Sequence, residues 1–216
     1  MKTPKISEAV VRRLPIYLRF LIDLQQQNVL TVSSSDLGQK LNLNPAQIRK
    51  DLSCFGEFGK KGIGYDVPYL IQNIRHILNL QHKMPIVLIG AGNLGRALCN
   101  YQVYFQDQMN LCAVFDSSAE KVGEQLNHLR VEPLSHLRDF VRDHHIRMAI
   151  LAVPANAAQM VASLLVESGI RGILNFAPTI LHVPDSIRVQ YVDFTTELQS
   201  LAFYLQSDLS GGEIID

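Results

Sequence analysis

Apolar residues recur every three or four positions in the first third of the chain, and in short blocks separated by turns after that. The two parts therefore predict different architectures. Leu14, Leu18, Leu21 and Ile22 share one face of a helix over 14–27, with Pro15 near its start or kinking a longer helix that begins near Ser7. A run of capping residues from Thr31 leads into a short helix over 36–41. Asn44 and Pro45 then fit the cap and first position of a third helix, which runs to Phe55 and stops at Gly56. Two short helices joined by a tight turn form the helix-turn-helix pattern.

In the third helix Ile48, Leu52 and Phe55 make an inward stripe, while Gln47, Lys50, Ser53 and Cys54 face the other way and Arg49 lies on the flank. Amide, cationic and small side chains of this kind suit a DNA major groove, where they reach base edges and phosphates without steric conflict. The glycine-rich segment from Gly56 to Tyr65 carries Lys60 and Lys61 at its tip and reads as a β-hairpin wing that meets phosphates or the minor groove. Pro68 opens a further helix with Leu70, Ile71, Ile74, Ile77 and Leu78 inward. The whole predicts a winged helix-turn-helix over 1–80. A charged protein-interaction domain is the alternative.

After a linker at 81–84, strands and helices alternate. Strands are expected at 85–89, 111–115, 148–153, 172–176 and 189–192, and helices from 93 to about 105, at 134–143, 157–167 and 195–206. This alternation predicts an α/β domain over 85–192, a doubly wound, mostly parallel sheet of the Rossmann type. Residues 193–216 form the last helix and a tail. The first strand runs into Gly90-x-Gly92-x-x-Gly95 and then a helix, the context a dinucleotide fingerprint requires. Gly90 permits the turn, Gly92 the approach of a pyrophosphate, and Gly95 close helix–strand packing. Asp116, 21 residues after Gly95 at the end of the second strand, suits hydrogen bonds from ribose hydroxyls and repulsion of a 2′-phosphate. Candidate NADH or NAD⁺ contacts are therefore Gly90, Ala91, Gly92, Asn93, Leu94, Gly95, Arg96 and Asp116, with Pro154 at the end of a neighbouring strand.

Charge sharpens the division. The 216 residues have zero formal net charge. Residues 1–80 hold eleven Lys and Arg against six Asp and Glu, and the remainder nine against fourteen. A basic head on an acidic body fits a polyanion-binding module. Three cysteines without CxxC spacing, and seven histidines without ligand spacing, point to no disulfide frame and no metal site, as in a reducing cytoplasm. No catalytic acid–base pair or nucleophile motif stands out, so the expectation is cofactor binding without enzymatic chemistry. A small NAD-dependent oxidoreductase, or a regulator sensing coenzyme A, are the competing readings.

Several motifs together resemble the Rex family of redox-sensing transcriptional repressors. Arg13-Leu-Pro-Ile-Tyr-Leu-Arg19-Phe resembles its first helix. Ile48-Arg-Lys-Asp-Leu-Ser-Cys-Phe-Gly56 and Gly59-Lys-Lys-Gly-Ile-Gly-Tyr65 are similar to its recognition helix and wing. Gly90-Ala-Gly-Asn-Leu-Gly95, Gly172-Ile-Leu-Asn-Phe-Ala-Pro178 and Asp193-Phe-Thr-Thr-Glu-Leu-Gln199 complete the likeness, which covers essentially the whole chain. One departure is Cys54, where the family usually carries Tyr. The resemblance implies a homodimer on palindromic double-stranded operator DNA, a C-terminal helix swapped between subunits, and release of DNA when NADH binds. By position it also implies that Arg19, Tyr101 and Asp193 exchange polar contacts between two states, and that Phe194 enters the partner's nicotinamide pocket.

Overall fold

A computed structural model describes residues 6–60, 62–101 and 108–209. The chain divides into two compact units, Met1–His82 and Lys83–Asp216. In the first, α1 (Glu8–Gln26) starts where the Ser7 hydroxyl accepts the Val10 N–H, so the longer of the two expected helices forms, with Pro15 inside it. Its buried stripe is Val10, Leu14, Tyr17, Leu18 and Leu21. β1 (Thr31–Val32) was not expected. It pairs with the later strand β3, Val32 opposite Tyr65, so Thr31 is strand rather than cap. The cap of α2 (Ser34–Leu41) is Ser33, locked to Asp36 in a reciprocal capping box. α2 therefore begins two residues earlier than expected. A Cβ on Gly38 would lie 2.6 Å from the Leu43 carbonyl oxygen, and only glycine lets the turn fold back so tightly. α3 (Pro45–Ser53) is capped by Asn44 through the Ala46 N–H. It ends two residues before Phe55. The wing strands β2 (Gly59–Lys60) and β3 (Gly64–Asp66) complete an antiparallel sheet of order β1-β3-β2, and Asp66 caps α4 (Val67–Ile77).

The second unit begins with β4 (Met84–Ile89), α5 (Asn93–Tyr101), β5 (Met109–Asp116), β6 (Gln125–Leu126) and β7 (Leu129–Pro133). A short 3-10 turn, Leu134–His136, then leads into α6 (Leu137–Asp143), β8 (Met148–Leu151), α7 (Ala155–Glu167), β9 (Gly172–Asn175), β10 (Arg188–Tyr191) and α8 (Phe194–Leu209). The strand order is β10-β9-β8-β4-β5-β7-β6. All pairings are parallel apart from the β6–β7 hairpin. Without that terminal hairpin strand the order is that of a dinucleotide-binding sheet, with the reversal between β4 and β8. Both faces are buried, as a parallel sheet requires: in β4, Ile86 and Leu88 join one core and Val87 and Ile89 the other.

The expected first helix of this unit extended to about residue 105, and residues 102–107 lie outside the described part, as does the tail from 210. No helix among the described residues is long and apolar enough to cross a membrane.

Candidate functional sites

Where the strand order reverses, the C-terminal ends of β4 and β8 part to leave a cleft of about 480 Å³. Its walls bring together six of the residues singled out in the sequence: Gly90, Gly92, Asn93, Leu94, Asp116 and Pro154. The three glycines of the turn, of which Gly90 and Gly92 line the cleft, answer to different physical demands. Gly90 has φ +105°, and a Cβ on it would meet the Ala152 carbonyl oxygen at 2.3 Å; a Cβ on Gly95 would lie 1.9 Å from the Gly90 carbonyl oxygen. These two are fixed by the fold. A Cβ on Gly92 would meet no heavy atom within 4 Å, so its own chain does not demand a glycine there.

Asp116 is largely buried. Its carboxylate accepts the Ala91 N–H at 2.7 Å, the Ser118 N–H at 2.8 Å and the Lys121 ammonium at 3.2 Å. Burial pushes this carboxyl up, but those bonds outweigh burial and hold it below the usual carboxylate range. Lys121 also lines the cleft, which corrects the picture of an acid standing alone against a 2′-phosphate. Ala91 is fully buried and Arg96 is paired with Glu124, and neither lines the cleft. The far end of the cleft is apolar, walled by Val153, Met160, Val161 and Phe176. Phe176 is set by a loop that the buried Asn175 side chain ties down: its amide donates to the Ala177 and Thr179 carbonyls and its oxygen accepts the Ala177 N–H. Sequence reasoning passed over Lys121, and it met Asn175 and Phe176 only inside the Gly172–Pro178 motif, with no role assigned to either. For Lys121 the one available signal was its spacing five residues after Asp116.

In the first unit, Arg49, Lys50 and Ser53 are exposed on α3 as expected. Arg49 donates to the Ser34 hydroxyl at 2.7 Å, on one side of a groove that Ser53, Gly62 and Ile63 also line. Gln47 departs from expectation. It is half-buried, and its amide donates at 2.6 Å to Asp51, because position 47 stands one turn before a buried carboxylate. Asp51 itself was missed. It is completely buried, accepting from Arg13 Nε at 2.6 Å, from Arg13 Nη2 at 2.9 Å and from the Tyr17 hydroxyl at 2.7 Å. The signal for it was its place three residues after Ile48, on the inner edge of the stripe. Lys60 belongs to β2, and Lys61 lies outside the described residues.

Of the residues carried over by resemblance, Arg19 is exposed on α1, in the first unit, and Tyr101 is exposed at the end of α5. Asp193 caps α8, accepting the Thr195 N–H and the Thr196 hydroxyl at 2.9 Å each. Phe194 is 63% exposed and stands beside Phe176, ring centroids 6.4 Å apart. It approaches a wall of the cleft without lining it.

A winged helix-turn-helix unit and a dinucleotide-type unit in one chain define the build of a ligand-responsive DNA-binding regulator. Comparison with known proteins bears on which one. Residues 5–53 match a family described as "Putative DNA-binding protein N-terminus", and residues 81–179 match one described as "CoA binding domain". A redox-sensing transcriptional repressor Rex from Brevibacillus brevis is 53% identical over 94% of this chain and 99% of its own length. Its counterpart from Carboxydothermus hydrogenoformans is 44% identical over 96% of this chain and 100% of its own. The crystal structure of RSP in complex with β-NAD⁺ and operator DNA is similar at 36% identity and TM-score 0.89, covering 94% of each chain. RSP in complex with β-NADH gives 35% and 0.84, covering 94% of this chain and 96% of that one. The chain belongs to the Rex family of redox-sensing transcriptional repressors.

Proposed function

We propose that this chain is an NADH/NAD⁺-sensing repressor that binds palindromic operator DNA as a homodimer and leaves it when NADH binds. The observation that carries the reading is Gly92, a glycine that the fold does not need, at the mouth of a cleft on the topological switch point. A backbone kept bare there suits the close approach of a pyrophosphate. Two similar structures, one described with β-NAD⁺ and operator DNA and one with β-NADH, support both ligands. Residues 1–80 serve as the DNA-binding domain, 85–192 as the nucleotide domain and 193–216 as the dimerisation segment. The role is that of a cytoplasmic regulator, not a catalyst.

Gly90, Gly92, Asn93, Leu94, Asp116 and Pro154 hold the dinucleotide, with Ala91 and Gly95 shaping the turn and Phe194 closing on the site. Bound NADH differs from NAD⁺ at the nicotinamide, neutral in one and cationic in the other. The apolar end formed by Val153, Met160, Val161 and Phe176 penalises a buried cation and so favours the reduced form. α8 exposes Leu198, Leu201, Phe203, Tyr204 and Leu205, a large apolar surface of the kind that marks a partner. A second copy of the chain, taking α8 in exchange, covers it. Arg19, Tyr101, Asp193 and Phe194 then form the contacts that differ between the two dimer states. Shifting a two-state dimer from about 1:99 to 99:1 needs roughly 5.5 kcal/mol of differential affinity, and by linkage operator DNA weakens NADH binding by the same factor that NADH weakens DNA binding.

The test is affinity for a palindromic duplex during separate titrations of NADH, NAD⁺, NADPH and coenzyme A. Release by NADH is expected, and indifference to it would sink the proposal. Release by coenzyme A alone would establish the second reading, which the match to a "CoA binding domain" favours. DNA contact is assigned to Arg49, Lys50, Ser53, Lys60 and Lys61, with Gln47 supporting Asp51. Lys50→Ala is expected to weaken operator binding by about tenfold, the worth of one base-edge or phosphate contact. NADH affinity, measured by nicotinamide fluorescence, should stay unchanged.

A further inference from the structure

The acid at the end of β5 belongs to a cluster of four charges. Lys121 Nζ lies 3.2 Å from Asp116 Oδ2, with the lysine side chain 36% and the aspartate 9% exposed. The turn after β5 sets this arrangement: the Lys121 N–H donates to the Ser118 carbonyl at 3.1 Å, and the Glu124 N–H donates back to the Lys121 carbonyl at 3.1 Å. Gly123, with φ +87°, reverses the chain there. Glu124 then pairs with Arg96 on α5. Lys121 and Asp116 both line the cleft, with the Glu124–Arg96 pair next to them, so this end is not left negative as a lone acid would leave it. An ammonium has three donors, and the contact with Asp116 uses one of them.

We infer that Lys121 is a specificity-determining residue of the nucleotide site: its ammonium offsets Asp116 on the cleft wall, so that the pair, and not the acid alone, sets how strongly a 2′-phosphorylated dinucleotide is rejected. The inference rests on the nucleotide reading of the cleft given above. A 2′-phosphate carries up to two negative charges at neutral pH, and its interaction with a unit charge a few ångströms away in a partly buried site is large. The unphosphorylated ribose hydroxyls feel the same lysine only as a hydrogen-bond donor. Removing the ammonium therefore changes the two ligands unequally, in a known direction.

The experiment measures Kd for NADH and NADPH by nicotinamide fluorescence on the full chain and its variants. In Lys121→Met the ratio of the NADPH Kd to the NADH Kd is expected to rise about tenfold, and in Lys121→Glu by about a hundredfold. Lys121→Arg, which keeps the charge, should restore the parent ratio. A lysine that only steadied the turn would move both constants together. Ratios within a factor of about two of the parent in the Met and Glu variants, or equal loss of both ligands, would overturn the inference while leaving NADH binding by the parent intact. If the parent itself binds neither dinucleotide, the nucleotide reading fails and this inference falls with it.

Discussion

Asp51→Ala is expected to lower the melting temperature of the winged-helix unit by roughly 12–24 °C and to abolish operator binding, with NADH affinity retained. The carboxylate has no exposed surface and accepts four hydrogen bonds, two from Arg13, one from Tyr17 and one from Gln47. Alanine removes all four at once. It strands the Tyr17 hydroxyl in the core, at 1% exposure, and an Arg13 guanidinium with only 23% of its side chain exposed. Breaking a buried ion pair from one side costs about 3–5 kcal/mol. Arg13 recovers some solvent by swinging outward, so the lower end, about 3 kcal/mol, is the better figure. In a domain of this size each kcal/mol is worth about 4–8 °C. Calorimetry on the full chain should show one transition moving and the other staying. A Tm within about 3 °C of the parent would show that the network contributes little.

The same network fixes a pH dependence. Burial pushes the Asp51 carboxyl up, but the hydrogen bonds from Arg13, Tyr17 and Gln47 outweigh it, and the folded value lies below the ordinary one. A depressed folded pKa gives stability that is present in full above the unfolded carboxylate value, near 4. That stability is lost as pH falls from there through the folded value. Asp51 therefore protects the DNA-binding unit across the neutral range. It also ties α3 to α1, so a buried carboxylate holds in place the helix from which Arg49 and Lys50 face outward.

Hydrophobic period and glycine spacing made most of the fold legible. The parallel strands carry continuous apolar runs such as Pro-Ile-Val-Leu-Ile before Gly90, and α3 announces itself by Asn44-Pro45. The β6–β7 hairpin escaped because it contributes few buried side chains, chiefly Leu126 and Val131, around a left-handed Asn127. β1 escaped because two residues carry no period. In the sites, what was legible depended on what each residue answers to. Gly90, Gly92 and Gly95 follow a local motif, so spacing exposes them. Asp51 and Lys121 matter through partners that the fold supplies: Arg13 lies 38 residues from Asp51, and Lys121 reaches Asp116 from a turn that its own N–H closes on the Ser118 carbonyl. A single sequence lists those residues as ordinary surface charges until the fold brings the partners together.

The second and third glycines of the fingerprint should separate when each is replaced by alanine. Gly95→Ala places a methyl 1.9 Å from the Gly90 carbonyl oxygen, a backbone atom that can yield only if α5 lifts away from the end of β4. Overpacking of this kind costs about 1–3 kcal/mol or more, and here the clash is with main chain. The second unit should lose stability and ligand binding together. Gly92→Ala directs its methyl into the open cleft, where it meets no atom of the protein. The melting temperature should hold to within about 2 °C, while NADH affinity falls by at least about tenfold because the added carbon stands where the pyrophosphate must approach. The variant should still bind the operator, and NADH should no longer release it, giving a repressor locked on DNA. Parent-like NADH affinity in a folded Gly92→Ala would mean that the bare backbone at this position serves no phosphate. The cleft would then need a ligand that enters from its apolar end, past Phe176, and not across the turn.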